Sequence, residues 1–353
     1  VRRAGGDLGR VMEVDAGSAL DAAQGVVQVH QAGAREHAFG RDMAVAPAQA
    51  LDHRVVPHPA TVQKAGGHEE GRGQPEPADA FEIHLGELQR ARLGLALRRR
   101  WAVQLQALQT FETLEAFADW LAQPGDWVGG FDVPFGLPRE LVQTLGWPTD
   151  WAACMDHYAA LSRPQIREQF AAFCQARPVG GKFAHRATDG PSGSSPSMKW
   201  VNPPVAFMLH AGVPVLLQAG VTLAGLYAPK KDKGQRVALE AYPGLLAREL
   251  IGNTSYKSDD KAKQTPERLI ARKQLLQALE LGQTRLGLRL KLTHAQHDTL
   301  VDDASGDSLD AVLCLVQAAW AHAQHEAGHV HYGLPDCDPL EGWIVTASLD
   351  SST

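Results

Sequence analysis

Tryptophan, tyrosine and nearly all lysine are missing from the first quarter of this chain. Residues 1–94 contain one lysine, Lys64, and two aromatic residues, Phe39 and Phe81, although the 353-residue chain has eight Trp and five Tyr. Large rings supply much of what a core buries, so a stretch without them and without a sustained helical or strand period is not expected to fold alone. Gly66-Gly67 and Gly71-Arg-Gly-Gln-Pro-Glu-Pro77 interrupt it further. Short apolar pieces such as Gly25-Val-Val-Gln-Val29 become strands only where neighbours pair with them. The expectation is a poorly ordered segment, or one from a misassigned start or an out-of-frame reading, over 1–94, and a folded domain over 95–353.

Other shortages exclude classes of function. The four cysteines, Cys154, Cys174, Cys314 and Cys337, have neither close pairing nor metal-ligand spacing, so they read as reduced thiols in a cytoplasmic protein. No run approaches the ~20 apolar residues of a membrane span, and no charged start followed by an apolar core marks a leader. Net charge is −6, so no global basic field advertises nucleic acid, and a polyanion site has to be a local patch. A phosphate-binding Gly-Lys-Ser/Thr loop is missing. Ser194 and Ser195 lie near His185 without the strand-nucleophile-helix elbow of a serine hydrolase. With 44% hydrophobic residues, the chain still has enough for a sizeable core.

That core material begins near residue 95. Ala102–Leu108 alternates apolar and polar residues as a half-buried strand does, and Thr113 stands where it would cap a helix reaching Leu121. An apolar strand, Trp127-Val-Gly-Gly-Phe131, ends at Asp132 and a Pro/Gly turn. Helices are expected near 138–145, 150–176, 244–251, 265–281 and 307–324, and apolar stretches at 205–217 and 221–227 lead to a strand carrying Glu240. Strand-then-helix alternation argues an α/β class with a partly parallel sheet.

Three acidic segments stand out: Asp132 at a strand end, Glu240 in Val237-Ala-Leu-Glu-Ala-Tyr-Pro243, and Asp310 at the start of an apolar helix, with Asp307 one turn earlier. Two strand-end acids and one helix-start acid suit a hard cation such as Mg²⁺ or Mn²⁺, which takes carboxylate oxygens, water and substrate phosphate. Taken singly, the same residues read as a turn acid before Pro134, a strand-end charge and a helix cap.

The segments Gly130-Phe-Asp-Val-Pro-Phe-Gly-Leu-Pro138, Glu240-Ala-Tyr-Pro243 and Asp310-Ala-Val-Leu-Cys314 resemble the family catalogued as domain of unknown function 429, predicted nucleases of ribonuclease H-like fold. The resemblance covers roughly 101–345. It implies a mixed sheet flanked by helices, whose fourth strand ends at Asp132, whose fifth carries Glu240 and whose closing helix presents Asp310. In such folds these carboxylates hold one or two Mg²⁺ or Mn²⁺ ions, making Asp132, Glu240 and Asp310 the implied metal ligands; Asp307, one helical turn before Asp310, points to a similar face by its spacing and can support or substitute for it. The chain departs from the pattern at its start. The fold opens with a strand bearing a central Asp and a meander of two more strands, and Val11-Met-Glu-Val-Asp15 is a poor match.

Between Pro178 and Pro204 runs a long loop, and loops of that length inside a compact domain are functional or disordered. It carries Lys182, His185, Arg186 and Lys199 among Gly and Ser, a composition that would hold phosphate, with Trp200 able to stack on a base. A solvated surface loop has the same composition. A second basic cluster from Lys257 to Lys273 mixes in Asp259, Asp260 and Glu267, as solvated helix faces do. His322, His325 and His329, with His331 and Cys337 beyond, fall short of a zinc motif.

Three functions compete. The first is a metal-dependent nuclease or phosphodiesterase, a hydrolase acting on nucleic acid or another phosphoester. The second is a catalytically silent nucleic-acid or nucleotide binding module on the same scaffold. The third, a phosphotransferase, lacks its glycine-rich nucleotide loop.

Overall fold

A computed structural model describes residues 24–29, 43–50, 102–111, 113–230 and 235–347, the first two segments through their backbone alone. Its strands are β1 (Gln24–Val29), β2 (Met43–Ala50), β3 (Ala102–Leu105), β4 (Trp127–Phe131), β5 (Thr222–Leu223), β6 (Arg236–Glu240) and β7 (Arg289–Lys291). They form a four-stranded sheet in the order β1-β2-β3-β7 and a three-stranded sheet in the order β4-β6-β5. Pairing is antiparallel from β1 to β2 and from β2 to β3, and parallel elsewhere. β1 runs beside β4, which sets the two sheets edge to edge.

Two of these strands lie within residues 1–94, and they pair with each other. Gly25–Val29 does have a partner, with Gly25 opposite Pro47 and Val27 opposite Val45. The partner is an Ala-rich strand containing Pro47, and a proline inside a strand erases the sequence signal that would reveal it. Asp15 and the expected disorder or misassignment of the rest of 1–94 lie outside the described residues.

Ten helices surround the sheets among the described residues: α1 (Leu114–Leu121), α2 (Arg139–Thr144), α3 (Trp151–Ala160), α4 (Arg163–Gln175), α5 (Asp189–Ser192), α6 (Val205–Gln218), α7 (Pro243–Ile251), α8 (Pro266–Leu281), α9 (His294–Asp302) and α10 (Asp307–Glu326). Their starts follow from side chains that satisfy the unpaired N–H groups of a first turn. Thr113 Oγ1 accepts from the Ala116 N–H at 3.1 Å, and Asp150 Oδ1 from the Ala153 N–H at 3.0 Å. The expected helix over 150–176 is two helices, because Ser162 and Gln165 form a capping box that restarts the chain as α4. β7 and α9 had no counterpart among the expected elements.

The three-stranded sheet positions the acids. All five residues of β6 are buried, as befits a parallel strand flanked on both sides. α10 lies across β1, β2 and β4. Gly130 is what lets it come so close: a Cβ there would sit 2.6 Å from the Cys314 carbonyl oxygen. One hydrophobic cluster gathers α1, α3, α4 and α6 around Phe131, Tyr158 and Phe170, and the other gathers α7 to α10 around Leu239, Leu275 and Leu313.

Candidate functional site

Register places the first two acids together. Phe131 is opposite Glu240 across the parallel β4–β6 pair, so Asp132, one residue on, leaves the sheet at the same edge. Asp310 sits in the first turn of α10, the helix packed on β4. Asp132 is close enough to Tyr256 and Cys314 for its charge to raise both groups, as Asp310 does. The sequence therefore names three acids that the fold does bring to one end of the sheet.

Glu240 and Asp310, both buried, each have a protein cation as partner. Glu240 is 4% exposed, and its Oε1 and Oε2 accept from Arg186 Nη2 at 2.7 Å and Nη1 at 2.8 Å. Oε2 also accepts the Phe135 N–H at 2.9 Å, which ties the turn after Asp132 back onto β6. Arg186 in turn donates to Asp189 Oδ1 from Nε at 3.1 Å and from Nη2 at 3.0 Å. Burial alone would lower this guanidinium, but the charges and hydrogen bonds of Glu240 and Asp189 outweigh it and hold Arg186 above its ordinary value.

Asp310 is 1% exposed. Its Oδ1 accepts from the Tyr256 hydroxyl and its Oδ2 from the Lys257 ammonium. Lys257 reaches it across Gly306, whose φ of 79° suits glycine and whose absent side chain leaves room, since a Cβ would meet the Lys257 stem at 2.5 Å. Asp307 is also buried, and its Oδ2 accepts from Ser305 Oγ at 2.9 Å.

Residues 338–347 strap this assembly together. Glu341 accepts the Arg139 and Ala187 N–H groups, each at 2.8 Å, while its own carbonyl accepts from Arg186 at 3.1 Å. The Ile344 N–H donates to Thr188 Oγ1 at 3.0 Å and the Val345 N–H to the Glu240 carbonyl at 2.8 Å. Arg139 pairs with Asp338 at the strap's beginning.

Over the acids opens a cleft of about 520 Å³, lined by Asp132, Glu240 and Arg186, by Ser194 and Ser195, and by Tyr242, Arg248, Thr254, Ser255, Tyr256 and Lys257. Its apolar wall comes from Val133, Pro203, Val205, Met208 and Ala247. Of the five residues expected to hold substrate, Arg186 alone lines it, and it is committed to Glu240 and Asp189. Lys182 is exposed and lies over the rings of Phe183 and Trp200 at 5.4 and 5.9 Å. Trp200 packs edge-on against Phe183 and Phe170, so its ring belongs to the core margin. His185 is exposed and Lys199 half-buried, both away from the cleft.

Tyr256, Lys257, Arg248, Asp189 and Glu341 are residues of the candidate site that sequence reasoning missed. Lys257 belongs in sequence to a mixed-charge stretch of the kind that forms a solvated face, and no local spacing links Asp189 or Glu341 to Glu240, more than fifty residues away from either. The terminal histidines do not converge either. His325 stacks on Tyr332 at 4.3 Å, His329 and His331 are exposed, and His322 lies 3.9 Å from Glu326.

A divalent ion needs several carboxylate oxygens turned to one point at about 2.0–2.6 Å. Glu240 and Asp310 direct both of their oxygens at Arg186, Lys257 and Tyr256. Among the described residues no group of three His, Cys, Asp or Glu side chains is placed to share an ion. As arranged, the carboxylates do not fit a resident metal. The four cysteines are free thiols, and no helix among the described residues is long and apolar enough to cross a membrane. Comparison of the chain with protein-family models, with curated proteins and with solved structures finds no match.

Proposed function

We propose that this chain is a nucleotide or nucleic-acid binding module of ribonuclease H-like fold, cytoplasmic, and without metal-dependent turnover. The observation that carries the reading is the occupation of both buried acids by the chain's own cations, Arg186 on Glu240 and Lys257 on Asp310. Charges that would otherwise have called for Mg²⁺ or Mn²⁺ are already balanced. The cleft beside them keeps what a phosphate-bearing ligand uses: guanidinium and ammonium groups, several hydroxyls and an apolar wall.

The fold assignment draws support from the antiparallel β1-β2-β3 meander, from β4 lying beside β1, and from the parallel β4–β6 pair, as the resemblance to domain of unknown function 429 implies. Gln24-Gly-Val-Val-Gln-Val29, the first strand among the described residues, contains no acid. That agrees with a scaffold whose first catalytic carboxylate is absent.

The nuclease reading keeps one observation in its favour, the shared register that brings Asp132 and Glu240 to the same strand ends. A single assay separates the two. Radiolabelled DNA, RNA and a chromogenic phosphodiester are incubated with the protein in chelator, in Mg²⁺ and in Mn²⁺, while binding of a fluorescent nucleotide is followed in parallel. Salt-sensitive binding in chelator and no turnover is the expected outcome. Mn²⁺-stimulated hydrolysis that disappears in Asp132→Asn would establish the nuclease instead.

A further inference from the structure

The cations of this molecule differ in what balances them, and one differs in a way that points to a ligand. Arg139, Arg177, Arg186, Lys257, Lys263 and Arg285 each pair with an Asp or Glu. Arg248, in the last turn of α7, does not, and unlike Arg236 and Arg272, whose guanidinium groups donate to backbone carbonyls, it lines the cleft. Its Nη1 donates to the Tyr242 hydroxyl at 3.2 Å, its Nη2 donates to the Ser192 carbonyl, and its guanidinium lies 5.2 Å from the centre of the Tyr242 ring. Every one of these partners is neutral, and among the described residues no carboxylate pairs with it.

The result is a half-buried guanidinium, fixed in position and facing a cleft with its charge uncompensated. Two of its N–H groups hold it in place and the rest of the planar fork is unspent, which is the arrangement that recognises an oxyanion. Ser194, Ser195, Thr254 and Ser255 border the same space with hydroxyls, and the Lys257 ammonium lies along the same wall. Val205, Met208 and Ala247 offer an apolar surface for a ring.

We infer that Arg248 seats the phosphate of a small phosphomonoester of mononucleotide size, with the ligand's ring against Val205 and Met208; this rests on the binding function proposed above. Two observations set the size. The cleft's volume of about 520 Å³ is that of a small-molecule pocket. Lys182, Lys199 and Trp200, the residues a polymer strand would use for further phosphates and bases, lie outside it. A strand that entered would find one seat and no track.

The test is calorimetric titration of the full chain in chelator with AMP, adenosine, inorganic phosphate and a single-stranded oligonucleotide, repeated on Arg248→Gln and Arg248→Lys. Each variant's unliganded melting temperature is recorded, so that loss of fold is not mistaken for loss of binding. AMP is expected to bind, with adenosine weaker by about tenfold or more. Arg248→Gln should weaken AMP by roughly 10- to 100-fold, as for a lost charged hydrogen-bond donor. Arg248→Lys should fall between, because it keeps the charge and loses the fork. AMP affinity unchanged in two folded Arg248 variants would overturn the seat and leave the binding function standing. An oligonucleotide that binds more tightly than AMP would overturn the assigned ligand size. No heat from any probe with the unmodified chain would overturn both this inference and the function beneath it.

Discussion

Glu240 and Asp310 are buried acids at the same end of the sheet, each neutralised by a basic side chain, but the two pairings are built differently. Arg186 is itself buried, shared between Glu240 and Asp189, and tied to the strap through the Glu341 carbonyl. Lys257 is 33% exposed, and its partner Asp310 has a second donor in Tyr256. One end is a closed network in which every charge depends on another; the other is a capped acid whose cap touches water. The contrast teaches that neutralising an acid and immobilising it are separate matters, and that a ligand can perturb the Lys257 end far more readily than the Arg186 end.

Arg186→Met tests the closed end and should have the largest effect. It strands Glu240 and Asp189 without their counter-charge, a loss of about 3–5 kcal/mol by analogy with broken buried pairs. Urea denaturation measures it, and a loss below about 1 kcal/mol would mean that water or a rearranged strap rescues the acids. Lys257→Met tests the other end. Here Tyr256 still donates to Asp310 and solvent can replace the ammonium, so a smaller loss of about 1–3 kcal/mol is expected. Equal losses in the two variants would erase the distinction between the two ends.

This comparison also marks how far the sequence could be read. Asp132, Glu240 and Asp310 were legible because each lies at the junction of an apolar run and a turn or helix start, a local signal. The helices around them were legible for the same reason, through caps such as Thr113 and apolar periods such as that of α10. What each acid pairs with was not. Arg186 lies 54 residues from Glu240 and Lys257 lies 53 from Asp310, so both pairs are products of tertiary structure. An arginine in a Gly/Ser-rich loop looks the same whether it awaits phosphate or closes on a carboxylate. β2 was hidden by Ala and Pro47, and Arg248 by its ordinary place at a helix end.

The smallest predicted effect concerns pH and sharpens the account of the Asp310 end. Burial first, and then the charge of Asp310, pushes the Tyr256 phenol well above its ordinary value of about 10. A group raised on folding stabilises the fold fully below its unfolded value and loses that contribution as pH climbs above it, because the unfolded chain sheds the proton while the folded chain keeps it. Stability should therefore fall with pH beyond about 10, this phenol contributing at most about 1.4 kcal/mol per pH unit. Tyr256→Phe should be less stable at neutral pH, where Asp310 loses a donor, but should decline less steeply between about pH 9 and 11. Lysines and the other buried phenols and thiols titrate in both proteins, so the difference in slope isolates Tyr256. Parallel slopes would show that the phenol opens to solvent before it ionises, and that the Asp310 end is looser than its hydrogen bonds imply.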